Sequence, residues 1–203
     1  ASLVFAQNSF PGLDTWTDGS TVGHSGGGYL MSFQNSFRNP AMLVNADRSL
    51  NLTIIKYPAE INAQSAIING KLNGHNFGLA IRNINYGTFE SRSSDNIMIG
   101  TFSANDTQID ISYARFAYKE KIIIGLNSGL FLSQLDNTNA SLIKFSPTAM
   151  LKARHFSASL TLDNYNRVLD SYTDHKPKSK PSVIFSIHKL FDKHPFEIEI
   201  STF

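Results

Sequence analysis

The 203-residue chain contains no cysteine. No disulfide can staple it and no thiolate can act as nucleophile or soft metal ligand, so the fold must rest on backbone pairing and burial. It also lacks any run of about eighteen apolar residues, which excludes a membrane-spanning helix. Charge is scarce. Asp, Glu, Lys and Arg together make up 17% and the formal net charge is +2, a balance that gives neither a nucleic-acid binder nor a disordered tail. Tryptophan occurs once, so the aromatic content rests on 15 Phe and 7 Tyr.

Catalytic constellations are missing as well. The six histidines, His24, His75, His155, His175, His188 and His194, show no HxH or HExxH spacing, and the sequence therefore predicts no metal site. No GxSxG elbow is present, and the neighbours His24 and Ser25 have the wrong geometry to act as base and nucleophile, since adjacent residues rarely face each other. Gly26-Gly27-Gly28 is not preceded by the strand that a dinucleotide-binding loop requires. The expectation is a non-enzymatic protein without a cofactor.

What the chain does have is two-residue alternation. Ile109, Ile111 and Tyr113 alternate with Gln108, Asp110 and Ser112; Ile122, Ile124, Leu126, Leu130 and Leu132 alternate with Gly125, Asn127, Gly129 and Ser133. Each stretch reads as a strand with one apolar and one polar face. About nine such segments follow residue 48, at roughly 49–57, 63–72, 76–86, 104–118, 121–134, 142–153, 155–163, 181–190 and 195–203. Short turns at Asn73-Gly74-His75, Lys119-Glu120 and Arg154-His155 alternate with expected longer polar loops at 87–103, 134–141 and 164–180. Long strands and alternating loop lengths predict an all-β fold, a transmembrane antiparallel up-and-down β-barrel. A soluble barrel or sandwich would carry the same alternation with its faces inverted, apolar in and polar out.

If the apolar parity faces lipid, then Gln108, Asp110, Ser112, Asn127, Lys144, Lys152, Arg154 and Asp163 face a lumen. Tyr86, Phe89, Tyr113, Phe116, Tyr118, Phe131 and Tyr165 fall near strand ends, where interfacial aromatic girdles sit. Glu197 and Glu199 share one face of the last strand, as lumen residues or as solvated ones. Residues 1–6 resemble the tail of a secretory signal peptide, and residues 7–48 form a polar, glycine-rich segment in which 29–37 reads as a short helix or coil ending at Asn39-Pro40.

Two motifs carry a family resemblance. Asn39-Pro40-Ala41, just ahead of the first strand, resembles the corresponding motif of the PorV/PorQ family and of the related FadL-like barrels. Tyr86-Gly87-Thr88-Phe89, then Gly100-Thr101-Phe102-Ser103-Ala104-Asn105-Asp106, then Tyr113-Ala114-Arg115 is similar to the third-to-fourth strand region of PorQ-type proteins. The resemblance spans about residues 26–135 and implies a Gram-negative outer-membrane barrel of a type IX secretion system. It implies that Asn39, Pro40 and Ala41 belong to a plug inside the lumen, and that the partners are outer-membrane lipid and secretion-system or cell-surface proteins, with no nucleic acid. The alternative it implies is a FadL-like channel taking up a hydrophobic small molecule. Family barrels have roughly fourteen strands, so nine or so strands predict a chain lacking the C-terminal strands that close the barrel.

Overall fold

A computed structural model describes residues 10–31, 37–172, 181–191 and 196–202. The leader-like residues 1–6, the loop residues 173–180 and Phe203 lie outside these. The chain is all-β. Among the described residues, ten strands form one antiparallel sheet: β1 (Ser49–Lys56), β2 (Asn62–Leu72), β3 (His75–Arg92), β4 (Met98–Tyr118), β5 (Ile122–Leu135), β6 (Thr138–Lys152), β7 (Phe156–Asp163), β8 (Tyr165–Asp170), β9 (Ser182–Leu190) and β10 (Glu197–Thr202). Each strand pairs with its sequence neighbour except that β7 and β8 share β6, one on each half of it, and β9 pairs with β7. The sheet is not closed: no described residue joins the outer edge of β1 to that of β10.

The order follows from the turns. Asn73 and Gly74 both take positive φ, the geometry a two-residue turn needs to match the twist of its strands, and Lys119 and Glu120 do the same without glycine. β7 and β8 are one long strand broken at Asn164, whose φ is 54°. The break lies opposite Ser146-Pro147 of β6, where proline has no N–H to give to the ladder. Asn164 donates its own N–H to Ser146 Oγ instead, at 3.3 Å.

Two expected loops are mostly strand, and a third holds a short one. β3 and β4 run on through 87–103 as a two-stranded ribbon with only residues 93–97 between them, because Phe89, Phe102, Thr88 and Thr101 favour extended backbone even where both faces are solvated. Asp136-Asn137 alone joins β5 to β6, and β8 occupies 165–170. Polar residues on both faces hid these strands from an alternation test.

Burial shows which face is which. Residues of the polar parity are buried, whereas the apolar parity is exposed: Ile111 is 61% exposed, Leu126 43% and Leu160 53%. The polar face is covered by residues 10–31 and 37–48, which hold a 3-10 turn at Pro11–Leu13, a short helix α1 (Gly19–Gly23) capped by Asp18, and a 3-10 turn at Pro40–Val44. Of the expected helix at 29–37, residues 29–31 are bends and 32–36 lie outside the described residues. Phe37 meets Arg82 on β3, while Asn39 reaches Ser159 on β7. The segment thus bridges strands four places apart in the sheet order.

Candidate functional site

The features that concentrate polar chemistry lie between the N-terminal segment and the inner wall of the sheet. Asn39 is fully buried. Its Oδ1 accepts the Ala41 N–H at 3.2 Å, and its Nδ2 donates to Tyr29 O at 2.9 Å and to Ser159 Oγ at 3.5 Å. Pro40 starts the following turn, where its missing N–H leaves nothing unsatisfied. Ala41 lies against β5 so closely that a Cβ on Gly125 would stand 2.5 Å from its backbone nitrogen. Around this contact Leu30, Met42, Leu43, Ile123 and Met150 form a packed apolar cluster.

Two buried carboxylates organise the wall. Asp110 is wholly buried and receives Arg82 Nη2 at 3.3 Å, Lys144 Nζ at 3.5 Å and Gln108 Nε2 at 2.8 Å. Gly129, directly across the ladder, leaves room for it, since a Cβ there would come within 2.3 Å of Asp110 Oδ1. Asp106 accepts the Tyr86 hydroxyl at 2.8 Å, the Ser133 hydroxyl and the backbone N–H of Gly12. A side chain at position 12 would collide with that carboxylate. Tyr172 in turn donates to Ser133.

Further bonds tie the segment to both flanks of the sheet. Ser65 on β2 donates to Thr17 O at 2.7 Å, and Asn127 on β5 donates to Phe37 O and to Ser112 Oγ, both at 3.1 Å. On β10, Glu199 accepts the N–H groups of Tyr29 and Leu30, each at 2.7 Å, one with either oxygen. Burial raises the Tyr29 phenol above its usual value, against the lowering effect of the Arg38 guanidinium stacked 4.2 Å from its ring centroid.

Gln108, Asp110, Ser112, Asn127 and Lys144 all lie on this buried wall. Lys152 is half-buried and donates to Asn45 Oδ1, and Asp163 accepts Ser146 Oγ at 2.8 Å. Arg154 departs from the expected inward row: β6 ends at Lys152 and Arg154 is exposed in the turn that follows. Two of the expected girdle aromatics also face inward, Phe131 into a cluster with Phe10 and Tyr86 onto Asp106. Their odd or even position within the strands already opposes them to the exposed row.

The remaining motif residues lie apart from the buried wall. Gly87 has φ +84° at a β-bulge, where its N–H meets Asn85 Oδ1. Phe89 and Phe102 stack across the ribbon at 5.2 Å, with Gly100 and Thr101 beside them. Tyr113 meets Phe77 and His75 near the opposite end of β4, and Arg115 is exposed. Arg82 and Gly12 were not singled out in the sequence, and Gly125 only as one residue of a strand's polar parity. Arg82 was reachable by parity, since it follows Asn76, Gly78 and Ala80 on β3, whereas the two glycines reveal their role only through the backbone that touches them.

Comparison of the chain with protein-family models, with curated proteins and with solved structures finds no match.

Proposed function

We propose that this chain belongs to an outer-membrane β-barrel of the PorV/PorQ kind, with residues 7–48 as a plug, acting without catalysis to anchor or receive secreted surface proteins of a type IX secretion system. The observation that carries the reading is the inverted burial of the sheet. An aqueous protein that left Leu50, Leu52, Ile54, Ile111, Leu126 and Ile200 exposed on one continuous face would lose the stabilisation of burying them, while it buried Asp110, Arg82 and Lys144 instead. In a bilayer the same arrangement is the favourable one, because hydrocarbon covers the apolar face and backbone groups pair within the sheet.

The anchoring role is supported by the β3–β4 ribbon. Its outer part, 88–103, extends beyond the ends of β2 and β5, and its tip carries exposed Ile97, Met98 and Ile99. Such a tip offers apolar contact to a protein partner at a distance from the sheet. The alternative, an uptake channel for hydrophobic small molecules, calls for an apolar passage near Asn39, Pro40 and Ala41, where Gly125 and the cluster around Met42 are packed against one another.

Fractionation of cell envelopes tests the membrane part: the protein should sit in the outer membrane and migrate differently on SDS gels before and after boiling. Recovery in the soluble fraction with no heat shift would contradict it. Cross-linking from the ribbon tip tests the partner part. Ile97→Ser with Ile99→Ser should abolish cross-links to secreted surface proteins and leave the heat shift intact, and undiminished cross-linking would remove the ribbon from the account.

A further inference from the structure

A cavity of about 310 Å³ lies between the N-terminal segment and the sheet, within the size range of small-molecule sites. Its wall includes Arg82 and Lys144. Both cations are more than nine-tenths buried, and they share the single carboxylate of Asp110. Two positive charges against one negative leave a surplus at the deep part of the wall, and Arg82 Nε is a buried donor with no partner among the described residues. The wall's own carboxylates, Asp14 and Asp163, are better solvated, and Asp163 is bonded to Ser146. Arg38 is engaged by Tyr29 Oη and Gly27 O.

Buried polar atoms without partners are scarce in folded proteins because each carries a desolvation cost. Four such atoms belong to residues on this one wall: Arg82 Nε, Thr17 Oγ1, Thr21 Oγ1 and Asn164 Oδ1. One is a donor, one is an acceptor and the two hydroxyls are both, a set that hydroxyl groups of a ligand would satisfy once these side chains, each atom shut off from solvent here, turn toward the cavity. Trp16, 39% exposed, adds a flat apolar surface to the same wall.

From this juxtaposition we infer that the cavity binds a small hydroxylated carboxylate of the sugar-acid class, its carboxylate on Arg82 and Lys144 and its hydroxyls among Thr17, Thr21 and Asn164. The inference concerns the contact between segment and sheet and holds whether or not the outer face meets lipid. Trp16 is the only tryptophan, so its fluorescence reports on the cavity directly.

The test is a fluorescence titration of the folded chain with glucuronate, with glucose and acetate as comparators and circular dichroism as the check on folding. Glucuronate should give a saturable change, with glucose and acetate each weaker by about tenfold or more, the loss expected for removing charge-assisted or hydroxyl contacts. Lys144→Met, which leaves Arg82 and Asp110 as a balanced pair, should weaken glucuronate by about tenfold or more. Thr21→Val should weaken glucuronate and leave the acetate response unchanged, and it decides the matter if Lys144→Met does not fold. No saturable response to glucuronate, equal responses to all three compounds, or unchanged affinity in the folded variants would overturn the inference.

Discussion

Asp110 is the residue on which the inner wall depends, because it is the sole described carboxylate within ion-pair distance of two buried cations. Asp110→Asn strands both, and should cost about 3–5 kcal/mol in chemical denaturation of the detergent-folded protein, the penalty of breaking a buried ion pair. A smaller loss than Lys144→Met would contradict the arrangement. Gly125 gives a second test. Gly125→Val drives a side chain into the Pro40 and Ala41 backbone and should cost about 1–3 kcal/mol, while Gly70→Ala, with nothing within 4 Å, should be nearly neutral. At this scale the sequence was readable wherever parity alone places a residue: Gln108, Asp110, Ser112, Asn127 and Lys144 lie on one buried wall. It was unreadable for Gly12, Gly125 and Gly129, because what makes a glycine necessary is a backbone or carboxylate brought near it from a distant part of the chain.

Among the elements, the N-terminal segment is held at its centre by Glu199 and at its start by Asp106. Glu199→Gln keeps the shape but removes one charged acceptor, so limited proteolysis should cut the segment around 29–31 faster while the strands resist. Equal cutting rates would deny β10 a role in holding it. Alkali should act on the same contact. Burial raises the Tyr29 phenol, so the neutral form is favoured in the folded state. That contribution is complete below about pH 10, the usual phenol value, and is lost as pH climbs through the raised value. Faster cutting at 29–31 is therefore expected only in strong alkali. The strand pattern was legible from alternation for β1 to β7, β9 and β10, down to the Asn73-Gly74 turn. It failed for β8 and the outer ribbon of β3 and β4, where residues such as Glu90 and Thr101 leave no apolar face to reveal the period.

The molecule as a whole is a sheet that presents its apolar face outward and closes its polar face on a segment of its own chain. Leu126→Arg discriminates between environments: at the middle of a bilayer it should cost about 2–4 kcal/mol, whereas on a water-facing surface away from special contacts it would stay within about 0.5 kcal/mol. Alternation told which residues share a face but could not tell which face is buried, since lipid and water invert the answer without changing the period. The most direct measurement uses the absence of native cysteine to place single spin labels at Ile109→Cys, Ile111→Cys and Ser112→Cys in lipid vesicles. Labels at 109 and 111 should collide with membrane-dissolved oxygen and be shielded from a water-soluble nickel complex, while the label at 112 should be shielded from both. Labels at 109 and 111 that meet the nickel complex freely would place that face in water and contradict the account.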